Sequence, residues 1–407
     1  MLAVAAAITT AKGTVEIVFP PYLAGYGYSL SLIGAITSLV AVLQLTSRVP
    51  TGVAYRAERA KRQYALGLVV FGLTIAGFAF AQGQGLVIAV LAAVHGFAFG
   101  ALGTLGLAIA IDLTGARRVG ASMAWYTAAI STGYAIGYFL GGALADPLGI
   151  PTTLLLIAAL PLVAAAAVFA LPQMAGAAQP VDRGVGLRGL IAAGGRLDSR
   201  VWLAVVIVLY LNLLQDAVDT FFPVYGPSVG IALVTVGALR ALKSGAGIFM
   251  RFAIAVLLQA LDYRRVTAIA VLLSAIGTIL IPVTNTVAIL AIVFIVLGLC
   301  RGILRATSAA NIAELRSEGR DVGLASGVYN MGLDVGGIIG PALGGAVASA
   351  VGIGPMFQIM AAGAFVAWLL VALSTPAARE AAGLAKRHTI RPTASAATDI
   401  SGGQQDG

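Results

Sequence analysis

The stretch Gly336-Gly337-Ile338-Ile339-Gly340-Pro341-Ala342-Leu343-Gly344-Gly345 has a counterpart 203 residues earlier, Gly133-Tyr134-Ala135-Ile136-Gly137-Tyr138-Phe139-Leu140-Gly141-Gly142. The same shift carries Glu16 to Asp219, Phe19 to Phe222, Gly34 to Gly237, Arg48 to Arg251, Tyr126 to Tyr329 and Gly149-Ile150 to Gly352-Ile353. One register over most of the chain marks a duplicated unit, because shared composition alone does not hold a register. It slips by one residue where Gly96 meets Gly298, Gly100 meets Gly302 and Asp112 meets Glu314.

The duplicated unit belongs in a bilayer. Of the 407 residues, 59% are hydrophobic and only 10% charged, whereas a soluble domain carries about a quarter charged residues. Apolar stretches of about twenty residues, each able to cross roughly 30 Å of hydrocarbon, recur as far as Leu373. Runs such as Leu154 to Leu171 and Val287 to Leu299 do not alternate as barrel strands would, and a helix satisfies its own backbone in lipid. The spans are expected at 3–24, 30–53, 64–82, 86–111, 119–144, 151–171, 201–225, 230–256, 265–283, 286–312, 322–348 and 355–375. The expected fold class is therefore an all-α membrane protein of about twelve transmembrane helices in two homologous six-helix bundles. The bundles are 1–171 and 201–375, with a cytoplasmic linker at 172–200 and a disordered cytoplasmic tail at 376–407. Residues 1–7 lack the basic region of a secretory signal and Lys12 interrupts the apolar stretch, so this segment is read as span 1, its cytoplasmic lead missing or very short.

The net charge of +9 is a matter of topology. Arg56, Arg59, Lys61 and Arg62 fill one expected loop; Arg117 and Arg118, then Arg264 and Arg265, then Arg316 and Arg320 fill others, and the middle linker carries Arg183, Arg188, Arg196 and Arg200. The alternate loops hold Gln82 to Gln84, Asp146, Asn285 and little else. This asymmetry predicts a multi-pass protein of the cell (inner or plasma) membrane with both termini cytoplasmic. No basic, aromatic-interleaved domain lies outside the spans, so nucleic acid is not an expected partner. The single cysteine, Cys300, has no disulfide partner, and His95 falls in a span and His388 in the tail, so no zinc cluster is expected.

On these motifs the chain resembles the major facilitator superfamily over residues 1 to 375. The stretch from Gly336 to Gly345 is similar to the family's Gly-x-x-x-Gly-Pro-x-x-Gly-Gly antiporter motif, which usually marks the fifth span. Here the complete copy lies in the eleventh, and Tyr138 stands where the fifth-span copy would have proline. The loop after span 2 resembles the family's Gly-x-x-x-Asp-Arg-x-Gly-Arg-Arg, with Gly52 kept, Arg56 at the acidic position and Glu58 as a possible substitute. The loop at Asp262, Tyr263, Arg264 and Arg265 is similar more loosely. The resemblance implies that spans 1, 4, 7 and 10 line a central cavity with 2, 5, 8 and 11 beside them.

Charges inside a membrane are costly and tend to mark a pathway or to pair. Lys12 and Glu16 lie one turn apart, so they either neutralise each other or face the pathway. Asn212, Gln215, Asp216 and Asp219 form a polar stripe on span 7; Arg240 and Lys243 follow on span 8, Arg301 on span 10, and Asn330 and Asp334 on span 11. His95 is either a structural histidine or a proton-exchange site. Arg48, Gly52, Arg251 and Arg305 are candidates for a cytoplasmic gate. The bases outnumber the acids, so either some bases sit at the rim or the cavity is positive and favours an anionic substrate. Gly133, Gly137 and Gly141, and Gly336, Gly340, Pro341 and Gly344, recur along one helix face each, for close packing or for a surface on which helices rock.

The function expected is secondary transport of a small organic solute by alternating access, with proton-coupled export as the first reading and uptake of an organic anion by proton symport as the alternative. A proton gradient is the expected energy source and no cofactor is expected, because a Gly-x-x-x-x-Gly-Lys-Ser/Thr phosphate loop is missing from the sequence. An enzyme would need a catalytic cluster, and a sensor or channel a signalling domain or symmetric pore; neither is legible. The bilayer and the solute are the expected partners, and the protein is expected to work as a monomer.

Overall fold

The computed structural model describes residues 1–114, 119–171, 199–260, 262–317 and 322–374. The expected tail and most of the expected linker lie outside the described residues, as do Arg117, Arg118, Arg183, Arg188, Arg196 and Arg320 and the side chains of Arg200, Arg251, Arg316 and Asn330. Among the described residues there are twelve long apolar helices: α1 Leu2–Gly25, α2 Leu30–Ala54, α3 Ala57–Phe80, α4 Gly85–Asp112, α5 Val119–Leu148, α6 Ile150–Val168, α7 Ser199–Ser228, α8 Leu233–Ala260, α9 Tyr263–Leu280, α10 Val287–Ser317, α11 Val322–Val351 and α12 Ile353–Ser374.

The largest departure from the expected boundaries has a physical reason. Helix α3 begins at Ala57, well before residue 64, so Arg59, Lys61 and Arg62 lie on its first turns and the loop shrinks to Tyr55 and Arg56. The basic segment is amphipathic: Arg59 and Arg62 are exposed while Ala60 and Tyr64 are buried, and Lys61 donates to the carbonyl of Leu171 at the end of the following helix pair. Helix α7 begins at Ser199, inside the expected linker.

Each half uses the same packing plan. Helix α1 packs on α5 and α6, α2 on α4, and α3 on α4 and α6; α7 packs likewise on α11 and α12, α8 on α10, and α9 on α10 and α12. Glycines set the close approaches. A Cβ on Gly133 would meet Ala6 and Thr9, and one on Gly336 would meet Leu209 and Asn212; Gly137 meets Thr10 and Gly340 meets Leu213. Gly96 and Gly100 of α4 lie on Val40 and Gln44 of α2, while Gly298 and Gly302 of α10 lie on Lys243 and Gly247 of α8. All these partners are related by the 203-residue shift, so the register read from the sequence is also a register of contacts. The turns repeat too. Gly27 and Gly230, and Gly149 and Gly352, adopt positive φ of 79°, 83°, 79° and 89°, which a side chain would disfavour.

Helices α2 with α11 and α5 with α8 join the halves, and α1 also touches α7. The glycine ladders themselves face α1 and α7 within their own halves. Their next residues make the joint: Gly345 abuts Leu30 and Gly34, and Gly142 abuts Leu233 and Val234. Gly34 in turn meets the Pro341 carbonyl and Gly237 the Tyr138 carbonyl. Gly133, Gly137, Gly141, Gly336, Gly340 and Gly344 thus make their close contacts within a half. The outer surface carries exposed Leu66, Leu73, Leu86, Val163 and Leu370, a lipid-facing composition.

Candidate functional site

A cavity of about 540 Å³ lies between the halves, within the size range of sites for small organic ligands. Six bases line it, Lys12, Arg48, Arg240, Lys243, Arg301 and Arg305, with four acids, Glu16, Asp216, Asp219 and Asp334. The polar lining also includes His95, Asn212, Tyr134 and Tyr138, with Gln44 and several serines and threonines.

The ionic groups form one connected network across the halves. On α1, Lys12 Nζ stands 3.2 Å from Glu16 Oε1 and 5.5 Å from the centroid of the Phe99 ring. Glu16 does not belong to Lys12 alone: Arg240 Nη2 of α8 lies 3.3 Å from its Oε2, and the Tyr138 hydroxyl donates to the same oxygen at 3.0 Å. The Arg240 guanidinium, 2% exposed, stacks 4.1 Å from the Tyr138 ring centroid, which supplies a cation with a partner where water is excluded. Its Nε reaches Asp219 Oδ1 at 3.5 Å. Asp219 also accepts from Lys243 at 2.6 Å and from Arg301 at 3.4 Å. Three bases therefore share one carboxylate.

Asp216, one turn earlier on α7, is different. It faces the same cavity, yet among the described residues it makes no hydrogen bond and no ion pair within 4 Å. Gly337 of α11 leaves room for it, since a Cβ there would stand 3.0 Å from Asp216 Oδ2.

The remaining candidates separate. Arg48 Nη1 of α2 donates to both carboxylate oxygens of Asp334 of α11, at 3.0 and 3.1 Å, a second bridge between the halves, with the arginine side chain 45% exposed. Asn212 donates to the Leu333 carbonyl at 2.7 Å and braces α7 against α11. Arg305 lines the cavity beside Arg301. His95 is buried between Phe71 and Phe78, ring centroids 4.6 and 5.7 Å away, with Nδ1 3.3 Å from Thr74 Oγ1 and Nε2 without a hydrogen-bond partner. Gln215 is buried outside the cavity lining, and Gly52 lies outside it as well. Arg251 and Asn330 are outside the described side chains. Sequence reasoning left Tyr138 as a departure from a motif and passed over Tyr134 and Phe99; an aromatic residue one helix away from an intramembrane base is the signal that would have found them.

Beyond the cavity, Tyr55 in the turn before α3 donates to Asp112 at the end of α4. Burial, and then Asp112, push its phenol well above the usual range, so it stays a donor and ties two helix ends together.

Further polar contacts between the halves gather at one end. Ser31 Oγ touches Ser349 Oγ at 2.7 Å, Ser38 donates to the Ile338 carbonyl at 2.6 Å, and Asp146 accepts from the Val234 amide at 2.8 Å. Ser31, Ser349, Asp146 and Val234 all sit at helix ends opposite Met1.

Comparisons with known proteins agree with this architecture. The family profile described as Major Facilitator Superfamily matches residues 1–263 and 245–402. Among solved structures, the nucleoside transporter NupG superposes with a TM-score of 0.76 at 14% identity, covering 91% of this chain and 98% of that one. A bacterial homolog to the human lysosomal transporter Spinster, inward-facing and unoccupied, gives 0.71 at 12% identity over 94% of both chains. At these identities the likeness is one of fold. Among curated proteins no significant match is found.

Proposed function

The chain belongs to the Major Facilitator Superfamily, a family of transporters rather than enzymes, and on that premise we propose that it moves a small organic solute by alternating access, coupled to protons through Asp216. The observation that carries this reading is the contrast between the two acids of α7. Neutralising Asp219 would strand Lys243 and Arg301 and leave Arg240 with Glu16 alone, whereas neutralising Asp216 breaks no ion pair. A group that gains and loses a proton on every cycle must do so without dismantling its surroundings.

With both termini in the cytoplasm of a cell membrane, as the basic residues favour, the end held by Ser31 and Ser349 is extracellular and the cavity serves the cytoplasmic side. Arg48 and Asp334 then form a bridge that opens and closes with the halves. The proton gradient supplies the energy and one chain suffices, since each chain encloses its own cavity.

Two directions have support. The likeness of Gly336 to Gly345 to an antiporter motif favours export. The surplus of bases in the cavity favours the second reading, symport of an organic anion with a proton. Proteoliposomes loaded with a pH-sensitive dye and presented with a panel of nucleosides, amines and organic acids distinguish them: a transported solute that drives protons the opposite way is an antiport substrate, and one that carries protons with it a symport substrate. If no solute moves protons in either direction, proton coupling is wrong.

A further inference from the structure

We propose that Arg301 is the docking group for the anionic end of the substrate, and that the substrate class is an amphipathic organic anion with one carboxylate-like group. The inference rests on the cavity reading given above and extends it to the ligand.

The four bases of the central network are not equally occupied. Arg240 and Lys243 are enclosed, with side chains 2% and 4% exposed; Arg240 spans two carboxylates and a tyrosine ring, and Lys243 makes the 2.6 Å contact to Asp219. Lys12 is spoken for by Glu16 and Phe99. Arg301 is 28% exposed and spends a single N–H, at 3.4 Å, on Asp219. A guanidinium carries five donors in a planar fork suited to two-pronged recognition of a carboxylate. Among the described residues the other donors of Arg301 make no hydrogen bond, and the residue lines the cavity.

The charge balance asks for the same ligand. Lys12, Arg240, Lys243 and Arg301 carry four positive charges against the two of Glu16 and Asp219, and Asp216, when ionised, removes only one of the surplus. A bound monoanion completes the compensation while Asp216 is ionised; with Asp216 protonated it halves the surplus of two, and Arg305, which also lines the cavity, adds to the field that draws the anion in. Phe19, Phe78 and Tyr134 of the other half also line the cavity, which suits an apolar or aromatic body behind the carboxylate. Protonation of Asp216 removes a negative charge from the cavity and so strengthens anion binding; by linkage the anion strengthens proton binding in return. Proton and anion then occupy the cavity together, as symport requires.

The test uses the full chain in lipid nanodiscs with benzoate, phenylacetate and indole-3-acetate, each paired with its primary amide. Thermal stabilisation and calorimetric affinity are read from pH 5 to pH 8. The expected result is that at least one acid stabilises the protein while its amide does not, that its affinity rises roughly tenfold as pH falls, and that Arg301→Gln abolishes binding while Arg301→Lys keeps part of it. Should Arg301→Gln fail to fold, Arg301→Lys decides the docking group, since acid affinity at the wild-type level in that variant overturns it, and the acid-against-amide contrast in the native chain decides the ligand class. Amides that bind as well as acids, or no acid that binds, or an Arg301→Gln variant that binds acids normally, overturns the proposal. Acid binding that needs Arg301 but ignores pH supports the docking site and counts against Asp216 as the proton site.

Discussion

Gly345→Ala and Gly340→Ala are the same chemical change five residues apart on α11, and the structure assigns them different consequences. A Cβ on Gly345 would stand 2.5 Å from the Leu30 carbonyl oxygen and 3.2 Å from Gly34 Cα, both in the other half. A Cβ on Gly340 would stand 2.6 Å from the Leu213 carbonyl oxygen, in its own half. Either overlap is with backbone and costs about 1–3 kcal/mol if nothing relaxes. For Gly345 the cheapest relaxation is for the halves to part, so the cost appears as a shift in the conformational equilibrium of roughly 5- to 150-fold. For Gly340 no motion of the halves relieves it, and the cost appears as lost stability. The assay is a disulfide reporter at Ser31→Cys and Ser349→Cys, positions whose side chains touch at 2.7 Å, on a Cys300→Ser background. Gly345→Ala lowers cross-linking with little change in melting temperature, while Gly340→Ala lowers the melting temperature and leaves the cross-linked fraction of folded protein unchanged. Equal cross-linking in the two variants, with equal loss of stability, would refute the assignment of one glycine to the moving joint and the other to the static core.

Further predictions concern the ionic network. Tyr138→Phe loses the hydrogen bond to Glu16 but keeps its ring against Arg240 and costs about 1.5 kcal/mol, and Tyr138→Ala loses both and costs about 2 kcal/mol more, read as melting temperature in one detergent. Asp219→Asn strands Lys243 and Arg301, leaves Arg240 with Glu16 alone, and lowers folded yield in line with a loss of about 3–5 kcal/mol, and adding Lys243→Met restores part of it; an Asp219→Asn chain that folds as well as wild type contradicts the network. Arg48→Gln changes stability by less than about 1 kcal/mol because the pair is half exposed, and because it frees the end opposite Ser31 and Ser349, cross-linking at the Ser31–Ser349 reporter stays at or above the wild-type level.

The fold was legible because two signals are one-dimensional: apolar length gives the spans and a constant shift gives the duplication. The start of α3 was not legible, because a run of bases looks the same on a loop and on the exposed face of a helix. Clustering of Lys12, Glu16, Asp216, Asp219, Arg240, Lys243 and Arg301 followed from their helical faces and the implied arrangement of spans. What decides their roles did not. Whether Asp216 or Asp219 meets the bases depends on a rotation of α7 by less than a turn, and the sequence left both open. The same holds for the glycines, where Gly344 and Gly345 are neighbours in the chain but face different halves. Gln215 shows the limit of periodicity, since it shares the polar stripe of α7 and still lies off the cavity.

The most direct test of proton coupling through Asp216 compares two fluxes in one preparation of proteoliposomes carrying Asp216→Asn, using a solute that wild type transports. Gradient-driven accumulation and solute exchange at equal pH are measured side by side. The account predicts that exchange persists near the wild-type rate while accumulation no longer responds to the pH gradient, because the neutral side chain leaves every ion pair of the cavity in place. An Asp216→Asn protein that accumulates solute with the wild-type dependence on the gradient would contradict it.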